Sequence, residues 1–470
     1  EILRCLVGSE MCIRDRFEHI DVPPTLVSFA VSTAKAQDVI SAEFKAAGHK
    51  IGYIAPKYDE NGLPVFDSVK EVFRTVEKLI KDKKAVSVWS VAHGGVAESI
   101  FKMSLGNRIG AKLDKLSDEE LFTPVYGAFI LELTGDADGV KTIGETVADY
   151  AITSGDVKLD VASLEKKWDD VLEPVFKAQL PEKPAPEKIA YTGGCELKHS
   201  SVKAAKPRVL IPVFPGTNCE YDMANAFNTY GGDSDIFVIR NLSAKDMEDS
   251  VNEFAKHIQN SQMIAIPGGF SGGDEPEGSA KFINAFFRNP KIKDAVEEML
   301  YTRDGLMIGI CNGFQALIKL GLVPFGRIVP LTAESPTLTY NTIGRHQSQL
   351  TLTRICTNKS PWLSCCNVGD IHNIPISHGE GRFVAPESVI KQLIANGQVA
   401  TQYVDLNGNP TMDVAFNPNS SMYAIEGIIS PDGRVLGKMG HTERLTDNVA
   451  KNVAGNKEQL LFKGGVEYFA

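Results

Sequence analysis

The chain has 470 residues, 43% hydrophobic and 23% charged, with a formal net charge of −10. The length suits about three domains and the composition an ordinary globular protein, while the acidic balance argues against nucleic acid as the main partner, because phosphate backbones are held by basic surfaces. No apolar run approaches the roughly 20 residues of a membrane-spanning helix, no stretch reads as a secretory signal peptide, and the eight cysteines show no paired spacing, which points to reduced thiols in a cytoplasmic protein.

Residues 1–16 lack an initiating Met and show no clear period, so they are expected to be foreign to the native chain, which would continue upstream. Residues 17–180 read as one α/β unit. A strand is expected in PPTLVSFAVST (23–33) and a helix in AQDVISAEFKAAG (36–48), ended by Gly48. KKAVSVWSVA reads as a strand, followed by His93-Gly94-Gly95 and the helix VAESIFKMSLG. YGAFILEL is a further strand and VASLEKKWDDVLEPVF a long amphipathic helix. Residues 181–206, rich in Pro, Lys, Glu and Ser, have the composition of a linker. From 207 the pattern restarts as strands and helices in alternation: RVLIPVF, EYDMANAFNTYGG, DIFVIR, MEDSVNEFAKHI, QMIAIPGG and GLMIGI. Short links between them predict a mostly parallel, doubly wound sheet over 207–470, with ligands at the carboxyl ends of its strands. PGGFSGGD (267–274) and Cys311 lie at two of those ends.

Cys311 stands between Gly309 and Gly313, where an apolar run turns into a helical pattern. A sharp strand-to-helix turn with small neighbours presents a nucleophile at the top of a sheet. The helix behind it points N–H groups at the sulfur, which favours a thiolate and offers donors to an oxyanion. The alternative is a buried core cysteine at a turn that glycine permits. A thiolate nucleophile needs a base, and the base needs an orienting group. His441 and Glu443, two residues apart in GKMGHTERL at a strand end, point the same way and suit those roles. His378, in the glycine-rich SHGEGRF, either stabilises a turn or lines the site.

Together these residues resemble the class I glutamine amidotransferases, and more narrowly the phosphoribosylformylglycinamidine synthases of the large, fused type. Five stretches carry the likeness in order: VFPGTNCEYDMANAF (213–227), PGGFSGGD (267–274), GICNGFQAL (309–317), HGEGRF (378–383) and GHTER (440–444). The front half resembles the last synthetase subdomain of those enzymes, of the aminoimidazole ribonucleotide synthetase C-terminal type, with DVPPTLVSFAV matching well. Ala92-His93-Gly94-Gly95 departs from the acidic pattern the family commonly has there, so a plain Gly-Gly turn opening a helix is the competing reading. The resemblance implies that the chain is the C-terminal part of a longer enzyme.

By that resemblance, Cys311 attacks the side-chain amide of glutamine, His441 moves the proton and Glu443 orients His441. The oxyanion is held by N–H groups at Asn312 and in the Gly269-Phe270 turn, Gln315 contacts glutamine, and Arg345 meets a substrate carboxylate. No metal ligands are expected in this chain. ATP and Mg2+ are implied for the complete enzyme, with most contacts in upstream synthetase domains of the same polypeptide. There the ammonia would convert formylglycinamide ribonucleotide to formylglycinamidine ribonucleotide in purine biosynthesis, a ligase reaction. Cys219, followed by acidic Glu220 and Asp222, is read as part of the wall, since nearby carboxylates hold a thiol protonated. Rival readings are a cysteine peptidase on the same scaffold, a glutaminase serving another synthase, and an inactive glutaminase-like scaffold or glutamine sensor.

Overall fold

A computed structural model describes residues 16–17, 20–21, 31, 33–114, 116–270, 280–444, 449–450 and 453–470. The expectation for residues 1–16 falls almost wholly outside them, as does most of the strand expected at 23–33. The chain divides into two compact units, residues 1–167 and 168–470. Among the described residues no helix is long and apolar enough to cross a membrane.

In the first unit, seven strands form one sheet: β1 (Lys50–Ile54), β2 (Ala85–Ser90), β3 (Gly110–Leu113), β4 (Phe129–Leu133), β5 (Lys141–Val147), β6 (Ala151–Ser154) and β7 (Val157–Asp160). They are ordered β2-β4-β1-β5-β3-β6-β7, and only β3 and β6 pair in parallel. Helix α1 (Phe66–Lys81) buries Val72, Val76 and Leu79, a spacing of three and four that sets one apolar face on the core. Helix α2 (Gly95–Leu105) follows β2 through the expected Gly-Gly turn.

The helix expected over 36–48 is not there; a single short 3-10 turn, Ala36–Asp38, takes its place. The reason is tertiary. Phe44 is fully buried and its N–H is donated to the Met103 carbonyl. The N–H groups of Lys45 and Ala46 are donated to the buried Glu132 carboxylate at 2.7 and 3.1 Å. Charge-assisted bonds to a buried acceptor replace the i to i−4 ladder.

In the second unit nine strands form one sheet: β8 (Arg208–Val213), β9 (Asp233–Val238), β10 (Met263–Ile266), β11 (Leu306–Ile310), β12 (Gln347–Ile355), β13 (Ile371–His378), β14 (Val399–Val404), β15 (Ile425–Ile429) and β16 (Val435–Lys438). The order is β9-β8-β10-β11-β16-β15-β14-β12-β13. The first five are parallel, with β8 at the switch point, which is the doubly wound half that alternation predicts. The remaining strands continue the sheet in antiparallel pairs, which the alternation pattern did not foretell. β10, β11 and β16 are buried at every position, as parallel strands covered on both faces must be. Helices α3 (Glu220–Thr229), α4 (Ala244–Gln259) and α5 (Asn312–Leu320) accompany the parallel strands. Residues 181–206 contain no helix or strand, yet they lie on this unit: Ile189 is buried in its core, and Arg354 donates to the Ile189 carbonyl at 2.7 Å.

Candidate active site

The site is assembled by strand register. Ile310 of β11 lies opposite Lys438 of β16, so Cys311, one residue on, and His441, three residues on, leave neighbouring parallel strands at the same edge of the sheet. Gly268 follows β10, whose Ile266 lies opposite Gly309. Cys219 follows β8 as the first residue before α3.

Cys311 has φ 54° and ψ −107°, a backbone state that costs a non-glycine residue on the order of 1–3 kcal/mol and persists only where the surroundings enforce it. Its N–H is donated to the Lys438 carbonyl at 2.8 Å, and its own carbonyl accepts from the Gln315 N–H at 3.0 Å. The flanking glycines are required by close approach. A Cβ at Gly309 would lie 2.6 Å from the backbone of Gly313, and one at Gly313 would lie 2.0 Å from the Ile266 carbonyl oxygen. The Cys311 side chain makes no capping bond to α5.

His441 is buried, and its Nδ1 lies 2.6 Å from Glu443 Oε1. Nε2 has no hydrogen-bond partner among the described residues. Burial of the ring disfavours its charge, but the Glu443 carboxylate and, after it, the Cys311 sulfur outweigh that and hold His441 well above the usual imidazole range. The structure thus brings Cys311, His441 and Glu443 together.

Cys219 is also here. Its Sγ is 3.9 Å from His441 Nδ1 and accepts from Arg444 Nη2 at 2.9 Å, while its thiol donates to Asn218 Oδ1 at 3.0 Å. The charged groups at this thiol are the Arg444 guanidinium and the Glu443 carboxylate, whose ligand oxygen lies within 4.8 Å of the sulfur. Cys219, His441 and Glu443 are the trio among the described residues whose ligand atoms could hold a metal ion.

Other expected residues are placed differently. Phe270 donates its N–H to the Gly216 carbonyl at 2.8 Å, so that donor is committed within the protein. Gly269 sits at φ +148°, where a Cβ would lie 2.5 Å from the Gly216 oxygen. The rest of that motif, 271–274, lies outside the described residues. Asn312 is buried and donates from Nδ2 to Gln315 Oε1 at 2.9 Å, and Gln315 Nε2 donates to the Glu380 carbonyl. Both ends of the Gln315 amide are therefore engaged with protein. Arg345 stacks at 3.7 Å on the Phe176 ring and donates to the Lys177 carbonyl. His378 ends β13 in the core, with neither ring nitrogen hydrogen-bonded among the described residues. Burial, with the His441 charge behind it, pushes its pKa down to about 3, so it is a neutral member of this region.

Sequence reasoning missed Gly268 and Arg444. A Cβ at Gly268 would lie 2.6 Å from His441 Cε1 and 3.2 Å from Cys219 Sγ, so this glycine makes room for the imidazole edge. The glycine was visible in its motif; the neighbour that requires it is 173 positions away and was not.

In the first unit, Ala92–Gly95 forms the turn that opens α2. The Gly94 N–H is donated at 2.7 Å to Glu98 of the helix itself, and Glu98 is paired with Lys102 at 2.6 Å. The Gly94 donor is thus engaged by a carboxylate, and His93 beside it is exposed.

Residues 206–469 match the CobB/CobQ-like glutamine amidotransferase domain family. The chain is similar to the phosphoribosylformylglycinamidine synthase subunit PurQ of Methanococcus maripaludis strain C7, with 32% identity over 56% of this chain and 97% of the relative. It is 33% identical to the subunit of that name in Aquifex aeolicus, over 50% of this chain and 90% of the relative. Among solved structures, PurLQS from Thermotoga maritima aligns at 25% identity with a TM-score of 0.40, covering 56% of this chain and all of the matched one.

Proposed function

We propose, from the premise that this chain belongs to the CobB/CobQ-like glutamine amidotransferase family through residues 206–469, that Cys311 is the nucleophile of a glutaminase that feeds ammonia to formylglycinamidine ribonucleotide synthesis. The observation that carries the reading is the strained Cys311 corner beside a histidine whose Nδ1 is held by Glu443. That bond leaves Nε2 as the nitrogen able to exchange a proton with the thiol and the substrate. Cys219 faces Nδ1, the nitrogen already engaged, which favours Cys311 of the two thiols.

In this scheme the Cys311 sulfur attacks the side-chain carbonyl carbon of glutamine. The oxyanion that forms faces the first-turn N–H groups of α5; removing one such donor costs on the order of a hundredfold or more in rate. His441 Nε2 gives its proton to the departing nitrogen, the carbon–nitrogen bond breaks, and ammonia leaves a thioester. Water then attacks the thioester, His441 takes its proton, and glutamate departs from the restored thiol. The ammonia acceptor is the amide carbon of formylglycinamide ribonucleotide. Mg-ATP activates that amide by phosphorylating its oxygen, on synthetase domains outside the residues described, and ammonia displaces the phosphate.

The test is glutamate release from glutamine by the purified chain and by Cys311→Ala, each alone and with synthetase domains, formylglycinamide ribonucleotide and Mg-ATP added. Release that requires Cys311 and rises on addition is the expected result. A folded chain that releases nothing even in the complete mixture would be a scaffold or a glutamine sensor.

A further inference from the structure

Behind His441 lies a buried ion pair that the triad does not use. Lys438, the last residue of β16, and Glu426 of β15 have side chains 1% and 0% exposed, with Nζ 3.4 Å from Oε1. Besides this ion pair, the ammonium donates to the Gly440 carbonyl at 2.8 Å and to Thr442 Oγ1 at 3.0 Å. Glu426 Oε1 also accepts the Gly440 N–H at 2.6 Å, while Oε2 accepts the Thr401 hydroxyl. The Thr442 hydroxyl in turn donates to Gln459 Oε1 at 2.7 Å. A Cβ at Gly440 would lie 3.0 Å from Glu426 Oε1 and 3.1 Å from Lys438 Nζ, so only glycine lets the backbone sit this close.

We infer that Lys438 and Glu426 are positioning residues that clamp the backbone on both sides of His441. The pair holds both polar groups of Gly440 and the hydroxyl of Thr442, the two residues flanking the imidazole. The His441 N–H is itself donated to the Pro375 carbonyl of β13 at 2.8 Å, so the pair adds bonds at the residues on either side of it. A fully buried ion pair is weak support for stability, since well-packed apolar residues serve a core as well or better. Its distinct consequence here is geometric: the bonds to Gly440 and Thr442 fix where His441 leaves the sheet relative to Cys311, just past the neighbouring strand. An error of about 1 Å in such a placement costs on the order of a hundredfold in rate.

The inference rests on reading His441 as the base, so the experiment separates the two. The full chain is compared with Lys438→Met/Glu426→Leu, which keeps the core apolar, with Thr442→Val and Thr442→Ser, and with Cys311→Ala and His441→Ala. Measured are the melting midpoint, kcat and KM for glutamate release, and the downfield Nδ1–H proton resonance of His441, assigned by its loss in His441→Ala. The double variant is expected to melt at or above wild type, to lose about 10- to 100-fold in kcat with KM changed less than about threefold, and to show a broadened or shifted resonance. Thr442→Val should show the same in smaller measure, and Thr442→Ser should restore wild-type values. A folded double variant with wild-type kcat and an unchanged resonance overturns the clamp; if it does not fold, wild-type kcat and resonance in Thr442→Val overturn it. Release that survives Cys311→Ala refutes the assignment of the nucleophile instead, and the resonance still decides the clamp.

Discussion

Two turns in this chain look alike as text and differ as chemistry. Ala92 to Gly95 and Gly309 to Gly313 both lead from a strand into a helix through glycines. At the first, the helix is closed by its own Glu98, and Gly95 at φ +68° is demanded by the Leu121 carbonyl, 2.5 Å from where a Cβ would lie. At the second, a cysteine rather than a glycine takes the positive-φ backbone, and the corner is buried near His441, three residues past the end of the neighbouring strand. The two turns differ in which residue carries the strain: a glycine takes the positive φ at the first and a cysteine at the second.

The contrast is broken most severely at the thiol. Cys311→Ala should lower glutamate release at least about a thousandfold without unfolding the chain, whereas Glu98→Ala should leave kcat unchanged and lower the melting midpoint slightly. Next in size is Gly268→Ala, which pushes against the imidazole edge and should reduce kcat about a hundredfold in a folded protein; unchanged kcat would mean that His441 has room to shift. Cys219→Ser should keep kcat within about tenfold, since this sulfur faces the nitrogen that Glu443 already holds. Total loss in that variant would move the nucleophile to Cys219.

A separate effect is on stability against acid. His378 is buried and neutral, with a pKa near 3 against about 6.5 when exposed. As pH falls from about 6.5 towards 3, the unfolded chain takes up a proton that the folded chain refuses. This residue's contribution is complete above about 6.5 and declines by about 1.4 kcal/mol per pH unit below it. His378→Gln should flatten urea-derived stability over that window; an unchanged slope would place the charge elsewhere. His441 works in the opposite direction: its raised value favours the folded state fully below the ordinary imidazole range, and that contribution is lost as pH rises through the higher folded-state value.

The sequence by itself determined what is local. Alternating strands and helices set the parallel half of the second sheet, two glycines around Cys311 set the corner, and the spacing of His441 and Glu443 set their pairing, because each depends on residues within a few positions. Tertiary structure decided the rest. Residues 36–48 have helical periodicity but give their N–H groups to Glu132, nearly ninety positions away. Arg345 is a free cation as text and is stacked on Phe176 in the fold. Cys219 meets Arg444 rather than its acidic neighbours, Gly268 meets His441, and Lys438 meets Glu426 only because β15 and β16 pair. Periodicity and spacing report which face a residue takes; which distant group waits on that face is set by strand order and register, and no stretch of sequence contains them.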